Sequence, residues 1–277
     1  MATIFNEGDV QASAVGPGAR RQQLLHSGRV PGTAILLDRI ALDAGGTLTI
    51  AMLATSIGWL QGLSGEATLT HGGGQTALTD AHVCLLPAGF SGELRASVGG
   101  TLLYGEIPDA RRFDSALAQG SFRVLDWRRE PVLDSEHDAR KRIYLITPKL
   151  FGTKAVKGEM IIYPPGTVAA NHHHEDAEHF MYVLRGSGTV YASEQPFPVR
   201  AGDVIYYPDR ERHYLEAAAD EELVFSEFFA PAEFRTIWVD ESQICTWNPS
   251  GRDIEGRAPI REIKSHSSAD VVNPSDV

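Results

Sequence analysis

Five of the ten histidines in this 277-residue chain fall between positions 172 and 213: His172, His173, His174, His179 and His213. The run around the first four reads Asn171-His172-His173-His174-Glu175-Asp176-Ala177-Glu178-His179, with Gly166 before it and Gly186 after it. Where residues 171–174 are extended, His172 and His174 project from one face and His173 from the other, because side chains on a strand alternate with period two. A second extended run from His179 and a third ending near His213 bring two more imidazoles toward the same point. Neutral imidazole is the commonest protein ligand for borderline first-row metals. His172, His174, His179 and His213 are therefore expected to hold one divalent transition metal per chain, Mn or Fe ahead of Zn, Ni or Co. An internal, interrupted cluster followed by His213 at a distance is unlike a terminal homopolymer tag.

Those rings must be carried by short strands. Apolar or alternating runs occur at 47–53, 83–86, 101–104, 158–163, 180–184, 203–207 and 223–229, separated by turn-rich pieces such as His71-Gly72-Gly73-Gly74-Gln75 and Ser193-Glu194-Gln195-Pro196. With 27 glycines and 15 prolines spread along the chain, this rhythm predicts an all-β sandwich or barrel. Helical pattern is confined to 109–118 and 232–239. The chain also repeats. Gly166, Gly186 and Pro208 lie 121 positions after Gly45, Gly65 and Pro87, and Val204-Ile205-Tyr206-Tyr207 falls on Val83-Cys84-Leu85-Leu86. Turn glycines recurring at a fixed offset mark two copies of one β-unit.

The second copy resembles the two signature motifs of the cupin superfamily. Gly166, five residues, His172-His173-His174, four residues, His179, six residues and Gly186 follow the first motif, with His179 where Glu is usual. Gly202, five residues, Pro208 and then His213 follow the second, with Arg210 where Gly is usual. The resemblance implies two tandem cupin (double-stranded β-helix or jelly-roll) barrels with few short helices. Residues 1–122 would form an N-terminal degenerate barrel, 123–155 an Arg-rich solvated connector, 156–240 the metal-binding barrel and 241–277 a C-terminal arm. Among bicupins, the layout is similar to the (S)-ureidoglycine aminohydrolase type. That type, however, has an acidic residue where His172 stands and a Gln where His213 stands.

The third ligand has two candidates. Glu178 restores the usual residue type, whereas His179 keeps the six-residue spacing to Gly186. A one-residue shift turns a side chain to the opposite face, so only one of them faces a barrel interior from a regular strand, and register favours His179. Met181 and Val183 then share its face, and Leu215 shares that of His213. In the first copy the matching positions are Ala51, Leu53, Gly58 and Gly92, none a ligand, so that barrel is expected to be metal-free. His71 and His82 read there as isolated turn or surface imidazoles.

Charge and composition narrow the function. Lys and Arg number 25 against 36 Asp and Glu, a net charge of −11, which argues against nucleic acid or an anionic membrane as partner. No run approaches the ~18 apolar residues of a membrane span. Two cysteines 161 positions apart form no disulfide framework, and with no export signal at residues 1–10 a cytoplasmic protein is expected. An all-histidine ion keeps its full positive charge, acts as a Lewis acid and favours a small anionic metabolite, such as a keto or ureido acid. The leading expectation is a metal-dependent enzyme of hydrolase, isomerase or lyase type. An Fe(II) dioxygenase and a non-catalytic small-molecule-binding cupin are the alternatives. Tyr163, Tyr206 and Glu227 are candidate catalytic groups, and the chain is expected as a monomer or homodimer.

Overall fold

The structure is a computed structural model that describes residues 1–117, 121–264 and 266. Its chain divides into two compact units: one comprises Glu7–Trp127 and Phe151–Ala155, the other Met1–Asn6, Arg128–Leu150 and the chain from Val156 onward. The repeat is visible in the strands themselves. Those starting at Leu36, Ile57, Gly74 and His82 have counterparts starting 121 positions later at Lys157, Glu178, Gln195 and Asp203. Gly65 and Gly186 show why their type recurs. Both have positive φ, 69° and 81°, and a Cβ at either would run into a backbone carbonyl oxygen, of Gly99 and of Glu222 respectively. Only glycine satisfies both demands.

The first unit is one nine-stranded sheet. Its longest strands, Ile57–His71 and Ser91–Ile107, pair along most of their length with register shifts between Gly62 and Ala67. Bulges of this kind bend a strand, and the sheet wraps a core of residues such as Leu60, Leu69, Leu86, Leu94 and Leu102. Buried within it, Asp38 is pushed up to about 6, chiefly by desolvation and against the pull of Arg21. A carboxyl with a raised pKa stabilises the fold while protonated, and that stabilisation is lost as pH rises from about 4 through 6. Asp38→Asn is therefore expected to raise stability at pH 7 by up to about 3 kcal/mol and to change little at pH 4, as read by denaturant melts of the two proteins at both pH values.

The second unit is a two-sheet jelly-roll. Its eight-stranded sheet runs, edge to edge, Thr3–Asn6, Asp203–Tyr207, Glu178–Arg185, Leu223–Ala230, Lys157–Tyr163, Lys141–Ile146, Val132–Ser135 and Trp247–Pro249. The five-stranded sheet runs Gln195–Arg200, Ser187–Ala192, His213–Ala217, His172–Glu175 and Arg235–Trp238. Inward side chains from both sheets, among them Ile161, Val183, Val190, Ile205, Leu215 and Phe225, form one buried cluster, as expected where alternating strands pack face to face.

Several expectations need correction. Residues 1–6, expected in the first barrel, pair antiparallel with Asp203–Tyr207 in the second unit. Arg123–Asp126, expected in the connector, pairs with His82–Leu86 in the first. The rest of that connector is not a solvated link: Lys141–Ile146 is an interior strand of the larger sheet, and Arg140 is only 5% exposed. The stretch 232–239, expected helical, contains the strand Arg235–Trp238, which pairs with the histidine strand. Of 109–118, Ala110–Arg112 forms a 3₁₀ turn rather than an α-helix, and Ala118 lies outside the described residues. So do residues 267–277, the end of the expected C-terminal arm. Among the described residues no helix is long and apolar enough to cross a membrane.

Candidate metal centre

The smaller sheet sets three of the rings. His172–Glu175 pairs with Arg235–Trp238, so that His174 lies opposite Thr236, and His172 is also opposite His213 across the neighbouring strand pair. Each ring is held by its Nδ1: His172 to the Ala170 carbonyl at 2.9 Å, His213 to the Glu211 carbonyl at 2.9 Å, and His174 to Thr236 Oγ1 at 3.1 Å. A carbonyl acceptor means that Nδ1 donates and Nε2 carries the lone pair, the arrangement that orients a metal-ligating histidine. The larger sheet supplies the fourth. His179 stacks between Phe229 (centroids 4.9 Å apart, planes 19°) and Tyr207 (4.8 Å, 25°), and its Nε2 is 3.4 Å from Glu227 Oε1.

One donor atom each from His174, His179, His213 and Glu227 lies within 4.8 Å of all the others, and all four residues are buried. The ring of His172 adjoins this group, 4.5 Å from that of His213 and 4.9 Å from that of His174, but lies outside the four-donor set. The donor group is therefore not purely imidazole: Glu227, expected only as a candidate catalytic group, is one of its four members. Period two explains its place, since Phe225, Glu227 and Phe229 share the inward face of their strand and all three line the cavity.

The same alternation decides the third ligand. His179 faces in, whereas Glu178 points away and accepts a hydrogen bond from Tyr206 Oη at 2.6 Å. A register shift between Val183 and Arg185 absorbs the extra residue before Gly186. Met181 and Leu215 line the cavity as expected, and Val183 belongs to the core behind it. Tyr206 is corrected: it sits with Glu178 on the outer face, and its neighbour Tyr207 faces in, its ring 4.2 Å from that of His213. Tyr163 does line the cavity, and its hydroxyl accepts from Arg140 Nη1 at 3.2 Å. His173 turns outward, its Nε2 3.7 Å from Glu175. Arg210, standing where the motif has Gly, takes φ 66° and is tied to Glu175 at 2.7 Å.

The donors fit a cation. Both nitrogens of His179, Nε2 of His213 and Oε1 of Glu227 are buried without a hydrogen-bond partner, which would cost about 1–3 kcal/mol each if nothing bound them. Burial pushes His172, His174 and His179 well below the usual imidazole range, and the neighbouring rings add to the shift. It brings His213 down to about 4. The rings are thus neutral, with lone pairs to give. Burial, and after it the Glu159 carboxylate directly opposite on the next strand, holds Glu227 well above the carboxylate range. A bound cation supplies the opposite charge that such a carboxylate needs.

The cavity in front of these residues is small, with about 70 Å³ of free space. Its far wall is charged and was missed by sequence reading: Arg140 just before one strand and Arg142 within it, Lys157 and Glu159 from the next, all lining the cavity. The signal was the spacing Arg140-x-Arg142-x-Tyr144 and Lys157-x-Glu159-x-Ile161, which puts each set on one face. In the first unit the positions matching His179 and His213 are filled rather than open. The Met52 thioether lies 2.9 Å from where a Cβ on Gly58 would sit, and the Phe90 ring 3.0 Å from one on Gly92. His82 is bonded to Thr79, and His71 is stacked on Phe122.

Residues 159–229 match the family described as Cupin domain. Bacillus subtilis oxalate decarboxylase, solved at pH 4.6, superposes with a TM-score of 0.67 over 85% of this chain and 78% of that one, at 17% identity. Both units thus find a counterpart in one solved fold. The second unit carries a cupin domain, and the chain as a whole has a two-cupin, or bicupin, fold. This bicupin is similar also to protein Ylba of E. coli, with a TM-score of 0.66, 12% identity and coverage of 83% and 90%. In sequence it is 30% identical to oxalate decarboxylase OxdC of Bacillus subtilis (strain 168) over 127 residues, 44% of the bicupin and 31% of that protein. An oxalate-binding protein of Thermotoga maritima is 28% identical over 82 residues, 30% of the bicupin and 68% of that protein. The sequence match therefore spans about a third of the decarboxylase.

Proposed function

We propose that this bicupin is a metal-dependent enzyme that acts on a small polar carboxylate by hydrolase, isomerase or lyase chemistry. One observation carries the reading: His174 and Glu227 of the buried donor group, with His172 beside them, line the same cavity as Arg140, Arg142 and Lys157. A divalent ion held by His174, His179, His213 and Glu227, with His172 beside it, would polarise a carboxylate or carbonyl oxygen as a Lewis acid. The basic wall neutralises the rest of an anion, and the small volume limits it to a few heavy atoms. Relatives named for oxalate are consistent with that size and charge. Phe229, Phe234 and Trp238 exclude bulk water from one side of the donors, which strengthens each charge interaction inside.

The test is metal analysis of protein expressed without an affinity tag, followed by incubation of the loaded protein with two- to five-carbon acids with and without oxygen. One divalent Mn or Fe per chain and anaerobic turnover of an acid is the expected result. Substrate-dependent oxygen uptake would replace this reading with an Fe(II) dioxygenase, and tight acid binding without any turnover would replace it with a binding protein.

A further inference from the structure

The charged wall is not balanced within itself. Arg140 is saturated: it forms a short ion pair with Asp138, with Nη2 2.7 Å and Nε 2.8 Å from Oδ2, and it also donates to Tyr163 and to the Cys245 sulfur. The next carboxylate, Glu159, faces two cations. Its Oε1 is 3.3 Å from Arg142 Nη2 and its Oε2 is 3.3 Å from Lys157 Nζ. Arg142 keeps a buried Nε without a hydrogen-bond partner. Among the described residues one positive charge is therefore left over at this wall.

A divalent ion with Glu227 as its one carboxylate likewise leaves a single positive charge, at the other side of the cavity. The two centres are close. The Phe234 ring lies 4.6 Å from Lys157 Nζ and 4.8 Å from the His174 ring. Phe229 bridges in the same way, 5.5 Å from Nζ and 4.9 Å from the His179 ring. Between two positive centres about one aromatic ring apart, in a space this small, the matching ligand is a short molecule carrying an acid at each end. Tyr144 closes the wall behind Lys157, its ring 5.2 Å from Nζ and its hydroxyl 2.7 Å from Nε2 of His266.

We propose that Lys157 and Arg142 form a second acid-binding subsite facing the metal group, so that the substrate is a short dicarboxylate rather than a monoacid. This rests on the small-carboxylate reading above and narrows its substrate class. It also assigns Lys157 a task beyond neutralising Glu159: a surplus cation at the end of an apolar passage is otherwise an uncompensated burial.

The experiment is calorimetric titration of the full-length, metal-loaded protein with malonate, succinate and glutarate, and with acetate, propionate and butyrate. Malonate should bind tenfold or more tightly than propionate, or succinate than butyrate, the two pairs of equal chain length. Lys157→Gln should weaken that diacid at least tenfold and its monoacid less than threefold, whereas Lys157→Arg should retain the preference. Equal binding of the two classes, or equal weakening of both by Lys157→Gln, overturns the subsite alone. Protein that takes up no metal, or that is loaded yet binds neither class, overturns the carboxylate reading and the subsite with it. If Lys157→Gln fails to fold, the wild-type panel and Lys157→Arg still decide.

Discussion

Alanine in place of His179 should leave the protein with under a tenth of the wild-type metal per chain, measured by elemental mass spectrometry after purification without a tag. His179 is the one ring of the group with neither nitrogen engaged, so the fold has no local hydrogen bond that requires an imidazole there. Its stacking on Phe229 and Tyr207 gives a packing reason for a flat ring, one that a phenyl group would serve as well. What sets imidazole apart is the donor aimed at Glu227. Removing one of four donors from a small rigid site typically removes its affinity, because the remaining three cannot close around the ion. The fold itself should survive, since the substitution also deletes two buried polar atoms that have no protein partner. Thermal melts provide a second reading. A thousandfold excess of metal over its Kd stabilises a folded protein by about 4 kcal/mol, and that shift should be present in wild type and absent in His179→Ala. Glu178→Gln is the contrast, because Glu178 lies on the other face with Tyr206. Its metal content should equal that of wild type, and loss of metal there with retention in His179→Ala would reverse the assignment.

This contrast also shows what a sequence can carry. Direction along a strand was legible: one residue of register distinguished His179 from Glu178, and it placed Met181 and Leu215 correctly on the inward side. The duplication was legible for a harder reason, since Gly65 and Gly186 meet backbone carbonyls that no side chain can approach. Tyr206 went astray because inwardness was not tracked through the second motif, where Tyr207 shares the face that looks onto His179 and His213. Arg140 and Arg142 were hidden by composition. A stretch rich in Arg and Asp reads as solvated surface, and only tertiary pairing with Lys157–Tyr163 turns alternate residues of it inward. The exchange of residues 1–6 into the second unit was beyond reach for a similar reason: an edge strand is chosen by the sheet it completes, not by its own four residues. Arg235–Trp238 was misjudged as helix because four residues carry too short an alternation to show, and pairing with the histidine strand decides their state.

Replacing Trp247 with alanine should destabilise the second unit by about 3–5 kcal/mol, the usual range for truncating a buried aromatic to alanine. Trp247 is 3% exposed on a three-residue strand that pairs with Val132–Ser135 at the edge of the larger sheet, so backbone pairing alone holds it weakly. Its ring does more. The Arg142 guanidinium carbon lies 4.1 Å from the ring centroid and that of Arg140 lies 5.3 Å from it, so one indole face shields both guanidinium groups of the cavity wall. Cys245 and Ile263 belong to the same buried cluster, which makes the described part of the C-terminal arm a structural wall rather than a loose appendage. Differential scanning calorimetry should show the melting temperature of the second unit falling by roughly 6–20 °C on the scale of 2–4 °C per kcal/mol for a unit of this size. The first unit should be unaffected. Trp247→Phe keeps a ring under Arg142 and should recover more than half of the loss. A Trp247→Ala protein within 1 kcal/mol of wild type would mean that the arm rests on the barrel without holding it. Arg142 would then have to be positioned by Glu159 and Tyr144 alone, two partners that leave its Nε unbonded and give it far less reason to stay where the cavity needs it.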